Sequence, residues 1–346
     1  MRSLKLTGLH KMEFMEEEVP SIKMPKDVLL KIQSVGVCGS DIHYYARGKI
    51  GSQVVKYPFA VGHECSAIVE TIGSDVKKVK KSDLVAIEPG IPCGKCDQCL
   101  IGREHTCRSL KYLGCPDQLE GCLKEYIVMP ESCCYKVPAF SAAGAEVAAL
   151  IEPLTIGWYA AQLAGSLKGR SIAILGAGPI GLSVLFAAKV NGAVAVYVTE
   201  KIDHRKNMAL KCGASLAFNI LKENAVSEIL KQEKRQLDFV FECSGDPSAI
   251  NDGIELLKPG GSLMLVGIPE NQEVSFIIDK ARRKEIRLQN VRRQNRCVGA
   301  VIGALAAGLF DPSIMITHRF RFEKTPEAFD LVELYKDGVV KAMINF

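Results

Sequence analysis

The run Gly176-Ala177-Gly178-Pro179-Ile180-Gly181 constrains this chain more than any other feature. It follows a compact apolar stretch at 171–175 and opens a helical stretch that runs to about 191. A second apolar strand at 194–199 comes next, and Glu200 stands at its end. A strand, a crossover helix and a further strand place the two strands parallel, because the helix returns the chain to its starting edge. In Gly-x-Gly-x-x-Gly, Gly176 permits the tight turn, Gly178 lets backbone approach a pyrophosphate, and Gly181 lets helix and strand pack closely. The helix N-terminus adds unpaired N–H groups and a positive dipole end. A carboxylate at Glu200 can accept hydrogen bonds from both hydroxyls of an adenosine ribose, and it repels a 2′-phosphate. The expected coenzyme is therefore NAD rather than NADP, although the guanidinium of Arg205 nearby could tolerate a phosphate.

Further buried strands are expected at 239–242 and 262–266, with a helix at 204–212. Apolar strands alternating with helices predict an α/β domain with a doubly wound parallel sheet. The chain has 346 residues, too many for one ordinary core, so a second domain is expected. Residues 1–148 supply it. They read as short strands (27–35, 65–72, 84–87) punctuated by Gly62, Gly73, Pro89 and Gly90. Beyond about 288 come a helix-like apolar region at 298–309, a stretch at 327–336 and a closing strand at 339–344.

Four thiols fall within fifteen residues: Cys93, Cys96, Cys99 and Cys107. That spacing lets four thiolates surround one Zn²⁺ at about 2.3 Å per bond and fill every coordination position. Such a site shapes a loop and performs no Lewis-acid chemistry. A second cluster is looser. Cys38 follows a strand in Gly36-Val37-Cys38-Gly39-Ser40-Asp41-Ile42-His43, and His63-Glu64 precedes one. One thiolate, one imidazole and a carboxylate would leave Zn²⁺ an open position. Glu152, in Ile151-Glu152-Pro153-Leu154, is a further carboxylate for the same cleft. Spacing alone does not bring these residues together.

The formal charge of +5 includes two basic clusters, Lys77, Lys78, Lys80 and Lys81, and Arg282, Arg283 and Lys284. No aromatics interleave with them and acids nearly balance the total, so they read as solvated faces and not as a nucleic-acid groove. No apolar stretch approaches the roughly 18–20 residues that span a bilayer, so no membrane partner is expected. The first residues lack the apolar core of a signal peptide. Thirteen cysteines then argue for a reducing cytoplasm. Cys65, Cys115, Cys212 and Cys243 are read as packing thiols.

Together these motifs resemble the zinc-dependent medium-chain dehydrogenase/reductase superfamily over the whole length, and within it the sorbitol (polyol) dehydrogenases. The residues that carry the resemblance are Cys38–Tyr45, Gly48-Lys49-Ile50-Gly51, Val54-Val55-Lys56, Gly62-His63-Glu64, the four-cysteine loop, Ile151–Leu154, Gly176–Gly181 and Thr317-His318-Arg319-Phe320. The resemblance implies a GroES-like, β-rich catalytic domain from 1–148 and 288–346, and a Rossmann domain from 149–287. It implies two zinc ions per subunit. Cys38, His63 and Glu64 resemble the catalytic zinc ligands. Glu152 resembles the acid that holds zinc-bound water or exchanges as a ligand. Cys93, Cys96, Cys99 and Cys107 match the structural zinc loop.

Ser40 and His43 resemble proton-relay positions, so Ser40, His43 and Glu152 are the expected catalytic residues. Ile180, Glu200 and Arg205 match coenzyme positions beside Gly176, Gly178 and Gly181. Val266, Gly267, Ile268, Val291 and Arg292 complete that set. Ser40, Tyr44, Glu152, Arg292 and Arg293 are the expected substrate contacts. The implied reaction moves hydride from a secondary alcohol of a polyol (sorbitol- or xylitol-like) to NAD, giving the ketose. The implied assembly is a homo-oligomer, a dimer or a tetramer.

Arg293 departs from the pattern, because an aromatic residue is usual there in sorbitol dehydrogenases. The cationic run Val291–Arg296 leaves an oxidised or phosphorylated polyol as an alternative substrate. L-threonine is a second alternative, and a silent NAD- and zinc-binding structural protein is a third.

Overall fold

The computed structural model describes residues 1–138, 144–271 and 273–346. It divides into two compact units, Met1–Glu152 with Val298–Phe346, and Pro153–Cys297. The first division falls inside one continuous helix, Gly144–Ala164. Among the described residues that helix is long and apolar enough to cross a bilayer, and 78% of its apolar window is buried inside the fold. It corrects the expectation that no stretch reaches that length. Glu146, Glu152 and Pro153 interrupt the apolar run in sequence, yet the helix continues through all three. Burial of this kind marks a core helix.

The first unit is built on a seven-stranded sheet. Its order is Cys134–Lys136, Leu84–Ile87, Glu64–Ile72, Asp27–Gly36, Lys341–Asn345, Ile316–Arg321, with Tyr126–Pro130 also paired to Asp27–Gly36. Strand Asp27–Gly36 shows why the sheet forms. Val28, Leu30 and Ile32 are fully buried while Lys31 between them is exposed, the period-two alternation of a strand with one face in a core. Phe322, Phe329, Leu123 and Met129 pack into the same core.

Helix Gly39–Arg47 was not expected from the sequence, where its region reads as strands and turns. It starts at Cys38, whose thiol accepts from the backbone of the first turn while Asp41 accepts from the Cys38 N–H. A cysteine is a poor helix-start signal, which is why the element is hard to read from residues alone.

The second unit holds six parallel strands in the order Leu216–Asn219, Ala195–Glu200, Ser171–Leu175, Leu237–Glu242, Leu257–Leu265, Arg287–Asn290. Numbered along the chain this is the order 3-2-1-4-5-6 of a doubly wound dinucleotide-binding sheet, whose crevice lies where the order reverses. The fold class is therefore the expected one. Helix Pro179–Val190 opens with proline at its first position, where a preset φ and a missing N–H cost nothing. Every residue from Gly181 to Ala188 is buried. Gly157 admits this helix closely, since a Cβ there would lie 2.3 Å from the carbonyl carbon of Ser183.

Candidate active site

Register in the seven-stranded sheet assembles the first site. Gly36 pairs with Glu64 in one ladder and with Met343 in the next. Cys38, two residues past the end of its strand, therefore comes to the start of strand Glu64–Ile72 and of strand Lys341–Asn345. One ligand atom each from Cys38, His63 and Glu64 lie within 4.8 Å of one another.

The support around them is buried. Asp41, 1% exposed, faces His63 Nδ1 at 3.4 Å, which leaves Nε2 for a metal. The same carboxylate accepts from the Gly62 N–H at 3.1 Å and the Cys38 N–H at 3.3 Å. Burial opposes the charged form of His63, but Asp41 and Cys38 outweigh it and hold its pKa well above the ordinary value.

Glu64 and Lys341 are each 1% exposed and form a pair. Lys341 Nζ donates to both carboxylate oxygens at 2.6 and 2.9 Å and to the Val37 carbonyl at 3.0 Å. Gly36 makes room for it, because a Cβ there would lie 2.3 Å from Glu64 Oε2. A carboxylate oxygen has two acceptor sites, so Glu64 can hold Lys341 and a metal together.

Ser40 Oγ donates to Cys38 Sγ at 3.3 Å. His43 follows on the same helix and is half-buried. Glu152 is 8% exposed and accepts from the Tyr112 hydroxyl at 3.0 Å. Tyr112 also stands against His63, with ring centroids 5.7 Å apart. Burial raises the pKa of Glu152, and the neighbouring carboxylate of Glu64 adds to the shift. Glu152 is not a member of the three-residue ligand group. The Tyr44 hydroxyl donates to Gln53 Oε1 at 3.2 Å, and Gln53 Nε2 donates to Cys115 Sγ at 2.7 Å.

Cys93, Cys96, Cys99 and Cys107 form the second metal-type group in this unit. A tetrahedron with bonds of about 2.3 Å has edges of about 3.8 Å. The Cys96–Cys99 and Cys96–Cys107 sulfur separations are 3.6 and 3.8 Å. The donor set thus fits one Zn²⁺. The Cys93 N–H donates to Cys107 Sγ at 3.2 Å. Backbone N–H groups of Arg108 and Cys99 lower the Cys96 thiol to about 6, the direction that favours a metal-binding thiolate. Arg108 clamps Asp97 at 2.5 and 2.8 Å across the lobe. Strand Lys111–Tyr112, four residues past Cys107, carries Tyr112 out of this lobe to Glu152.

In the second unit the glycine loop follows strand Ser171–Leu175. Gly176 has φ of 104°, and a Cβ on Gly181 would lie 1.9 Å from the Gly176 oxygen. Both glycines are sterically required. Glu200, 7% exposed, accepts from the Ala177 N–H at 2.8 Å and from the N–H groups of Lys201 and Ile202 at 2.8 and 3.1 Å. It is thereby fixed to the glycine loop. Arg205, 8% exposed, brings a guanidinium nitrogen to 3.8 Å from where a Gly178 Cβ would be.

Across the crevice, Glu242 accepts from Ser244 N–H and Oγ and from Gly245 N–H at 2.6–2.8 Å. Val266 and Gly267 donate to its carbonyl at 2.8 and 2.9 Å, and Ile268 beyond them is exposed. The Val291 N–H donates to Leu265, placing Val291, Arg292 and Arg293 just past the carboxyl end of the last strand. Arg293 and Arg296 both adopt left-handed backbone, at φ 54° and 58°.

Sequence comparison bears on both units. Residues 24–139 match the family model "Alcohol dehydrogenase GroES-like domain", and residues 179–307 match "Zinc-binding dehydrogenase". A sorbitol dehydrogenase of Bacillus subtilis is 35% identical over 92% of this chain and 90% of that protein. The chain belongs to the zinc-binding medium-chain dehydrogenase family.

A probable D-xylulose reductase A of Aspergillus fumigatus is 33% identical to this chain over 96% of its length and 94% of that protein's. Among solved structures, an Escherichia coli oxidoreductase/dehydrogenase of unknown specificity superposes with a TM-score of 0.94 at 32% identity, covering 99% of this chain and 98% of that one. An E. coli alcohol dehydrogenase complexed with NADH gives 0.89 at 28% identity, covering 100% and 99%.

Four features of the dehydrogenase escaped the sequence reading: Asp41, Tyr112 and Lys341 as supports, and Gly36 as the space that admits the buried pair. Asp41 had a local signal, as the third residue past a helix cap. Tyr112 and Lys341 had none.

Proposed function

We propose that this dehydrogenase oxidises a secondary alcohol of a polyol, sorbitol or xylitol in type, to the ketose, with NAD as hydride acceptor. The observation that carries the reading is the convergence of Cys38, His63 and Glu64 within 4.8 Å, with Ser40 on the thiol. The sorbitol dehydrogenase and xylulose reductase relatives support the polyol class. The NADH-bound relative supports the coenzyme. In this reading Cys38, His63 and Glu64 hold a catalytic zinc, and Cys93, Cys96, Cys99 and Cys107 a structural one. The unit Met1–Glu152 with Val298–Phe346 is catalytic, and Pro153–Cys297 binds coenzyme.

Zinc at the first set would supply a Lewis acid for the alcohol oxygen, and NAD would supply the redox chemistry. The remaining work belongs to the chain. Ser40 Oγ takes up the alcohol proton as it releases its own, which leaves by way of the coenzyme ribose to His43. Glu152, held by Tyr112, accepts a hydrogen bond from a neighbouring polyol hydroxyl. Tyr44 and Arg292 orient the rest of the substrate. A site built to pair several hydroxyls rejects simple alcohols, whose binding would leave its polar groups unpaired.

The glycine loop and the helix it opens, with Ile180 and Arg205, take the pyrophosphate side of the coenzyme. Glu200 takes the ribose hydroxyls and repels a 2′-phosphate. Val266, Gly267, Ile268 and Val291 flank the nicotinamide end. The exposed edge strand Arg287–Asn290 suits pairing with a second subunit, and a reducing cytoplasm suits the thiolate sets.

A second reading has one observation behind it. Arg292, Arg293 and Arg296 crowd one loop, two of them in left-handed backbone of the kind that clusters at functional sites. A phosphate or carboxylate on the polyol would account for that charge.

The deciding experiment is NAD reduction with sorbitol, xylitol, L-threonine and a polyol phosphate, with zinc content measured on the same sample. Polyol turnover with zinc in both thiolate sets is expected. Turnover of L-threonine alone, or no turnover by fully metallated protein, would overturn the proposal.

A further inference from the structure

We propose that His10, Asp330 and Glu333 form a third divalent-metal site, remote in sequence from both thiolate sets and suited to a first-row cation such as Zn²⁺. A ring nitrogen of His10 and one carboxylate oxygen each of Asp330 and Glu333 lie within 4.8 Å of one another. Asp330 and Glu333 are three residues apart on helix Thr325–Glu333, so both project from one face. His10 belongs to the tight turn between strands Arg2–Gly8 and Lys11–Glu16. Nothing in the chemistry of the polyol reaction uses this group.

What distinguishes it from a chance meeting of surface charges is its support. Tyr45 is 2% exposed and touches two of the three members. Its hydroxyl donates to Asp330 Oδ1 at 2.6 Å, which leaves Oδ2 for a cation. Its ring meets the His10 ring edge-on, centroids 5.1 Å apart at 69°. Its carbonyl accepts the His10 N–H at 2.9 Å. Tyr45 in turn packs edge-on against Phe329 at 5.4 Å. Buried partners that orient ligands in this way are what metal sites require beyond the ligands themselves.

His10 takes left-handed backbone, φ 54°, as tight hairpin loops commonly require. His10 Nδ1 stands 3.2 Å from Glu333 Oε2. Bonds of about 2.0–2.2 Å need the three donors to draw inward. The His10 and Glu333 side chains are 51% and 23% exposed, so both are free to do so and a cation has a path in.

The donor set selects the ion. One imidazole and two carboxylates carry two negative charges and no sulfur, which suits Zn²⁺, Co²⁺ or Mn²⁺ with water completing the shell, and disfavours Cu⁺. The imidazole must be neutral to ligate, so binding weakens as the medium becomes acidic. Occupation would tie the N-terminal hairpin turn to helix Thr325–Glu333 and to the end of helix Gly39–Arg47, where Tyr45 sits.

The test uses the full-length, zinc-loaded protein dialysed against excess Zn²⁺, with metal content measured by elemental analysis. Wild type should hold one more equivalent than either His10→Asn or Glu333→Gln. Asparagine tolerates left-handed backbone, so the first variant keeps the turn. Both variants should retain wild-type turnover and the metal of both thiolate sets. Co²⁺ added to protein carrying zinc at the two thiolate sets only should give weak bands of oxygen and nitrogen ligation in wild type alone, with no thiolate charge transfer. Equal metal content in wild type and both variants would overturn the site. So would an extra equivalent that survives both substitutions but disappears in Cys38→Ser. Because the readout is stoichiometry at His10, its failure leaves the reading of the active site untouched.

Discussion

Replacing Lys341 by methionine tests the buried pair that fixes Glu64. Lys341 Nζ makes three hydrogen bonds, at 2.6, 2.9 and 3.0 Å, two of them to a carboxylate that is itself 1% exposed. Burial lowers the lysine pKa, but Glu64 and Cys38 outweigh it and the net shift is upward. A raised lysine pKa contributes stability that is complete below the unfolded value and lost only as pH rises through the folded one. The pair therefore persists across the neutral range.

Removing one member of a buried pair costs about 3–5 kcal/mol, because the other charge is left uncompensated. Lys341→Met should lower the unfolding free energy of metal-stripped protein by that amount. Zinc-loaded protein should lose less, since a cation on Glu64 replaces the missing charge. Adding Glu64→Met should recover most of the loss, because replacing both charges by apolar groups is often neutral or better. Urea unfolding followed by circular dichroism, with and without a chelator, reads all three comparisons. A loss under about 1 kcal/mol in the stripped single variant would refute the reasoning. So would strict additivity in the double variant, since contacting partners must couple.

Three other outcomes are expected. Cys38→Ser should abolish turnover while leaving the fold and the four-thiolate metal in place, whereas Cys96→Ser should lose one metal equivalent and unfold at lower temperature; identical behaviour would merge the two roles. Tyr112→Phe should lower kcat about tenfold, the equivalent of one hydrogen bond at roughly 1–1.5 kcal/mol. It should also move the acidic limb of the rate profile upward, because the Tyr112 hydrogen bond now lowers a Glu152 pKa that burial raises; an unmoved limb would separate Glu152 from the titration. Glu17 and Glu120 sit below the ordinary value of 4.5 despite burial, held there by Lys5 and Lys124. Their contribution is present above that value and lost as pH falls through the lowered one, so Glu120→Gln should flatten the acid stability curve by about 0.2–1 kcal/mol per pair; an unchanged curve would discount the network.

The parts legible from residues alone share one property, which is that all their members are close in sequence. The glycine loop needs a strand before it and a helix after it, and both are readable from apolar runs beside Gly176 and Gly181. The four-cysteine lobe spans fifteen residues, and no fold is needed to say what four such thiols can do. Helix Gly144–Ala164 escaped for a local reason, since Glu146, Glu152 and Pro153 break the apolar pattern that burial nonetheless accommodates. Helix Gly39–Arg47 escaped because Cys38 caps it through a thiol.

The open metal set stands at the other extreme. Cys38 and His63 belong together because Gly36 pairs with Glu64, and Lys341 joins them because Gly36 also neighbours Met343. Each ladder links residues far apart in the chain, and shifting either by one residue would turn every side chain to the opposite face. Short-range order is written in composition and spacing because a turn, a cap or a chelating loop closes on itself. Convergence of Cys38, Glu64, Tyr112, Glu152 and Lys341 depends on which strands pair and in what register, and that choice is made by the burial of the sheet as a whole.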